Sequence, residues 1–235
     1  TTLLYTLEKD KRSYLRLDLD TTMATLTFAP LEWKKRPGEK GKLFFVLVFE
    51  DGNLSKMTDL RVKAPPYFLR GEILFGPQKN WKTIHLSQFE GPDTQTQVTL
   101  HTPHPNVYEV SFHGQSVDLE KFMQYVDQEG SAKDHPPMDI KLFGDVEQLR
   151  LGEGKVFENI SASAHLFLHE NEKIWKEVHL RAKAGKGTAS KGDMAQVSGG
   201  ILFDINPGPN NTQSLEVRAN DAGKFLKNSA RCSYY

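Results

Sequence analysis

Cysteine is almost missing from this chain: Cys232 is the only one in 235 residues. A single thiol excludes an intramolecular disulfide and any zinc site built on several thiolates. No apolar run approaches the roughly 18 residues of a membrane-spanning helix. A leader-like stretch is missing too, because Thr1-Thr2-Leu3-Leu4-Tyr5 runs straight into charged residues without a start Met. The chain is therefore expected to be an internal piece of something longer. Neither charge sign dominates: 30 Lys+Arg balance 30 Asp+Glu, with a pI near 7.1. That balance argues against a nucleic-acid partner, which calls for a basic domain. The short signatures of catalysis are also absent, with no Gly-x-Ser-x-Gly and no His-Glu-x-x-His. Gly185-Lys186-Gly187-Thr188 lacks the spacing of a phosphate loop and reads as a hairpin turn. With no nucleophile, base and orienter to assemble, the expectation is a non-enzymatic protein without metal or cofactor.

What the chain has is period-2 alternation, the pattern of strands with one dry and one wet face. Leu15, Leu17 and Leu19 alternate with Arg16, Asp18 and Asp20, and Leu26 and Phe28 flank Thr27. Leu60 and Val62 alternate with Arg61 and Lys63, and Leu166 and Leu168 flank Phe167. Similar runs recur at Ile84–Leu86, Val98–Leu100, Tyr108–Phe112, Ile140–Leu142, Val178–Ala182 and Leu215–Ala219. From Leu43 through Phe45 and Leu47 to Phe49 the chain is continuously apolar, so this strand is expected to be covered on both faces. Asp51-Gly52, Gly76-Pro77, Gly91-Pro92-Asp93 and Pro207-Gly208-Pro209 supply turns. The expected fold class is all-β and mostly antiparallel, with roughly a dozen strands.

Helical signal is sparse. Asp118 can cap a short helix with Leu119, Phe122, Met123 and Val126 on one face, and Asn220 or Asp221 a second near residues 221–228. Two short capping helices are thus expected. The polar stretch 127–138 is the expected linker between a first β-rich unit, 1–126, and a second, 139–235. The units look related. Trp81-Lys82-Thr83-Ile84-His85-Leu86 recurs as Trp175-Lys176-Glu177-Val178-His179-Leu180, and Asp118-Leu119-Glu120-Lys121-Phe122-Met123 as Asp221-Ala222-Gly223-Lys224-Phe225-Leu226. Duplication of one unit is the simplest account.

The remaining polar features have plain readings. His101, His104, His113 and His135 lack carboxylate or thiol neighbours at ligand spacing and read as loop histidines. His85 and His179 alternate with apolar neighbours and should pair across strands on the polar face. Lys34, Lys35 and Arg36 beside Trp33 form a basic patch that could meet anionic headgroups or belong to a charged hairpin. Glycosylation-type triplets such as Asn53-Leu54-Ser55 carry no weight.

So many amphipathic strands leave a dry face that two short helices cannot hide. A second sheet, a closed barrel or a ligand with long apolar chains must cover it. Burying a methylene is worth about 0.8 kcal/mol, so a 16-carbon chain could contribute on the order of 12 kcal/mol before ordering costs. Leu31-Glu32-Trp33-Lys34-Lys35-Arg36-Pro37-Gly38-Glu39, Ser111-Phe112-His113-Gly114-Gln115-Ser116-Val117-Asp118-Leu119, and Gly199-Gly200-Ile201-Leu202-Phe203 followed by Ala219–Leu226 together resemble the AsmA-like bacterial envelope proteins, in particular the large YhdP-type members. The resemblance implies the periplasmic portion of an inner-membrane-anchored protein. It also implies a curved or taco-like sheet whose groove takes phospholipid or another acyl-chain ligand moving between inner and outer membranes, with outer-membrane integrity as the outcome. Adjacent segments of the same longer chain would be its other partners. Groove candidates are then Leu15, Leu17, Leu19, Leu26, Phe28, Leu43, Phe45, Leu47, Phe49, Leu60, Val62, Leu166 and Leu168, with Lys34, Lys35 and Arg36 at headgroups. The competing expectation is a β-sandwich scaffold that binds a protein or glycan and has no groove.

Overall fold

A computed structural model describes residues 2–8, 12–28, 33–77, 80–118, 120, 137–150, 156–169, 172–184, 200–207 and 213–219. The strands are β1 (Thr2–Leu7), β2 (Arg12–Asp20), β3 (Leu26–Phe28), β4 (Trp33–Lys35), β5 (Lys42–Glu50), β6 (Asn53–Ala64), β7 (Tyr67–Phe75) and β8 (Trp81–Gly91). They continue as β9 (Thr94–His101), β10 (Val107–Asp118), β11 (Met138–Arg150), β12 (Val156–His169), β13 (Glu172–Ala184), β14 (Gly200–Pro207) and β15 (Gln213–Ala219). Thirteen of them form one sheet in chain order, with β3 and β4 set aside as a two-stranded ladder. Every neighbouring pair is antiparallel except β10 and β11, which run parallel from Val107↔Asp139 to Asp118↔Arg150. The all-β, largely antiparallel expectation therefore holds, and the alternation explains it. Most of the strands carry apolar residues on one side of the pleat and more polar residues on the other, so only one register keeps the dry side continuous.

The two capping helices are not supported, and no helix stands among the described residues. Asp118 instead closes β10, paired with Arg150, and its carboxylate accepts the Glu120 N–H at 2.9 Å in the manner of a cap. Residues 121–136 and 220–235, where the helices were expected, lie outside the described residues, as does most of the 127–138 linker. Met138, the last residue of that linker, already belongs to β11.

Bulges interrupt the ladders repeatedly, at Met57/Leu60, Arg70/Gly71, Leu86/Phe89, Gly114/Ser116 and Glu158/Ser161. Each adds a residue and shifts the phase, so that Leu86 and Phe89, three apart, share a face. Asp59 and Asn159 take positive φ at two of these sites. At Gly71 a Cβ would stand 2.1 Å from the His85 carbonyl oxygen, so the two backbones meet where only glycine fits.

The β3–β4 ladder projects between β2 and β5 and is pinned by Lys35, which is wholly buried. Its ammonium donates to the carbonyls of Thr22 (3.0 Å), Ala24 (3.0 Å) and Arg36 (3.2 Å). Its stem fills the space over Gly41, where a Cβ would come within 2.6 Å of Lys35 Cε. Lys35→Met keeps the stem and removes three charge-assisted bonds. The expected loss is about 2–3 kcal/mol, read as a lower urea midpoint at unchanged slope.

Candidate functional site

The ladder registers bring the alternating apolar residues onto one face. Leu15, Leu17 and Leu19 lie directly opposite Leu47, Phe45 and Leu43, and Phe49 opposite Ser13. Val62 continues the row from Leu43, and Leu60, two residues earlier, points the same way. Across β7–β10 the same face carries Leu69, Ile73, Ile84, Leu86, Phe89, Val98, Leu100, Val110 and Phe112. The parallel pair passes it on to Ile140, Leu142 and Val146, and β12 adds Leu166 opposite Ile140. Leu168 pairs with Met138 at the end of that ladder.

Two groove candidates sit elsewhere. Leu26 and Phe28 belong to β3, opposite Lys35 and Trp33, and so lie off the thirteen-stranded sheet. This ladder nevertheless approaches one end of the apolar face: the Trp33 ring meets Tyr67 edge-on at 5.2 Å, and Tyr67 stacks on Phe89 at 6.2 Å. Burial, and secondarily the charge of Asp118, raises the Tyr67 pKa above its ordinary value. At the opposite strand ends, Trp81 packs against Tyr108 at 6.0 Å.

Burial separates an open from a closed face. Fully buried apolar residues among the described ones are few: Ala64, Val117, Val146, Leu149, Ile160, Leu166 and Ala182. Five of these form one cluster under β10–β13. Leu15, Leu17, Leu19, Leu43, Phe45, Leu47, Phe49, Leu60 and Val62 of the apolar face are half-buried, and Leu3, Tyr5 and Leu7 of β1, on the same face, are exposed. Among the described residues the only strands outside the large sheet are the three-residue β3 and β4, too little to form a second layer.

The other face is polar and internally paired. Thr83 bonds His101 at 3.0 Å and His85 bonds Thr99 at 2.9 Å, while Lys141 reaches Glu109 at 3.2 Å and Lys56 reaches Glu72 at 2.8 Å. His165 Nε2 contacts Asp139 at 2.6 Å. The two histidines of the repeated motif use the same device, each bonding through Nδ1 to its register partner on the next strand, Thr99 or Asp204. Phe44, one of the apolar residues on this face, lies under the guanidinium groups of Arg16 and Arg61 at 4.8 and 5.4 Å. They cover part of the second side of the continuously apolar strand, where Val46 and Val48 also lie. Of the basic patch, Lys34 and Arg36 are exposed, whereas Lys35 has its ammonium committed to backbone carbonyls and is closed to headgroups. No group of three or more His, Cys, Asp or Glu side chains able to hold a metal stands among the described residues.

Sequence reasoning missed β7 as part of this surface, because Phe68 and Leu74 lie on its polar face and Gly71 interrupts the apolar one. It also missed Tyr67, whose only sequence signal is its place beside the Pro65-Pro66 turn. Compared with known proteins, the chain matches no family model, no curated protein and no solved structure.

His179 gives the polar face a pH response. Its hydrogen bond to Asp204 and then that to Glu177, both 2.8 Å, raise its pKa above 6.5 by favouring the form with both ring nitrogens protonated. The stabilisation is complete below about pH 6.5 and fades as pH rises through the raised value. An NMR titration of the ring should place the midpoint above 6.5, and Asp204→Asn should bring it down. An unchanged midpoint would remove Asp204 as the cause.

Proposed function

We propose that this chain is a non-enzymatic segment of a cell-envelope protein whose apolar sheet face carries acyl chains, as the AsmA-like resemblance implies. In this reading the bulges bend successive strands in the same sense, so that the sheet curves into a trough with the apolar face inside. Acyl chains lie along the half-buried side chains while headgroups stay in water near the strand ends, where Lys34 and Arg36 are exposed. The single observation that carries the proposal is an apolar face that runs in register from β2 to β12 and is half-buried over most of that extent. A face of that extent normally signals a partner or ligand. Its half-buried state favours an open trough over the closed sandwich of the competing reading, which would press the same side chains against a second sheet.

The role is passive. Side chains supply a path of nearly constant apolarity, with no step of chemistry and no cofactor. Phospholipid passage between the inner and outer membranes, and a periplasmic location, follow from the resemblance and form part of the proposal.

Native mass spectrometry of the purified chain should find acyl lipid bound. Leu17→Glu combined with Leu86→Glu, two half-buried positions on well-separated strands, should remove most of it while circular dichroism keeps its strand signal. Hydrophobic-dye fluorescence should fall in parallel. A lipid-free wild-type chain that binds no dye would sink the trough.

A further inference from the structure

We propose that the two turns clamped by Lys35 form a docking tip for an anionic bilayer surface. Met23 would enter the headgroup layer, and Arg36 and Lys40 would contact lipid phosphates.

The tip is fixed in its backbone. The Thr22 carbonyl accepts the Lys35 ammonium at 3.0 Å and the Gly38 amide at 2.8 Å, while the Thr21 amide donates to the Gly41 carbonyl at 2.9 Å. Turn 21–24 is thereby held against turn 36–39. The Ala24 amide closes the first turn on the Thr21 carbonyl at 3.0 Å. In the second, the Arg36 amide donates to the Glu39 carboxylate at 3.0 Å and the Glu39 amide to the Arg36 carbonyl at 3.2 Å.

Met23 stands out from this clamp. At 78% it is the most exposed large hydrophobic side chain among the described residues. Leu74, Phe143 and Ile174, the others away from β1, lie at 37%, 46% and 40%.

Around it the charge is one-sided. Lys34, Arg36, Lys40, Lys42 and Lys63 are all exposed at this end of β2–β6. Lys42 and Lys63 face each other across the β5–β6 ladder, where like charges repel unless anions lie near. Asp20, opposite Lys42 on its other side, offsets one of them, but its carboxylate already accepts the Thr22 amide at 2.8 Å. At the far end of the same strands the signs are mixed, with Arg12 beside Glu50 at 3.8 Å. The whole chain is neutral, so attraction to an anionic surface has to come from segregation of this kind.

The chemistry of the tip selects among anionic partners. A nucleic-acid surface would offer aromatic rings for stacking, and Trp33 is instead packed edge-on against Tyr67. Exposed Met23 beside exposed Pro37 gives an apolar point ringed by cations, the pattern of an interfacial membrane contact. Both turns lie outside the thirteen-stranded sheet, so the inference stands whether or not the trough carries acyl chains.

Vesicle flotation at about 0.1 M salt tests it, using phosphatidylcholine vesicles with and without about one-third phosphatidylglycerol. The whole chain should float with the anionic vesicles and stay behind with the neutral ones. Arg36→Glu combined with Lys40→Glu should weaken binding more than about tenfold. The charge-matched pair Arg70→Glu and Lys82→Glu, exposed cations away from the tip, should weaken it far less. Met23→Ser should bind less tightly, and Met23→Trp more tightly with fluorescence shifted to the blue on the vesicles. Circular dichroism confirms that each variant keeps its strands. A chain that floats with neither vesicle or equally with both would overturn the proposal. Equal losses in the two charge pairs, or Met23 variants that bind like wild type, would overturn the tip as the docking surface. A tip that holds duplex DNA as well as vesicles would overturn the bilayer as its partner.

Discussion

The architecture depends on keeping one phase. In each strand of the large sheet the dry side of the pleat must meet the dry side of the next, and a single-residue slip would expose one row and bury charge in another. The ladders keep that phase through thirteen strands, across a change from antiparallel to parallel pairing and across at least five bulges. Bulges are therefore part of the register. Where Leu86 gives way to Phe89, the extra residue keeps the ring on the apolar side instead of sending it to the polar one.

Much of this was legible in the chain, and the exceptions have physical causes. Alternation in β2 and the apolar run of β5 were easy to read because their ladder matches residue for residue from Arg12↔Glu50 to Asp20↔Lys42. Strand β7 escaped because both of its faces carry apolar side chains and a glycine sits at its middle. Lys35 is the clearest misreading. Its neighbours Lys34 and Arg36 made it look like one of a solvated group, yet it faces inward and satisfies three carbonyls. No composition argument could foresee a lysine used as a turn-filling donor, since that use depends on where Thr22, Ala24 and Gly41 fall in space. The helix expectation rested on Asp118, which does cap the Glu120 amide but also belongs to the end of a strand.

The mean hydropathy of −0.52 contrasts with so extended an apolar surface. The structure removes the conflict. The polar face is dense with paired His, Asp, Glu, Lys and Arg side chains, and turns add more, so an average over the whole chain hides a one-sided distribution. The polar face also holds itself together. Rungs such as His85–Thr99 and His179–Asp204 link strands from the side that water wets, so strand cohesion does not rely on the apolar face being covered.

Strand order in the large sheet is chain order, and this bears on assembly. Nearly all contacts join stretches adjacent along the chain, so a hairpin formed anywhere can act as a seed and growth can proceed outward one rung at a time, with little loop-closure entropy at each step. Two neighbouring pairs are joined by longer connections, β2 and β5 through residues 21–41, which hold the β3–β4 ladder, and β10 and β11 through residues 119–137. The second is also the parallel seam, which no hairpin can seed, so the stretches on either side can zip first and then meet along it.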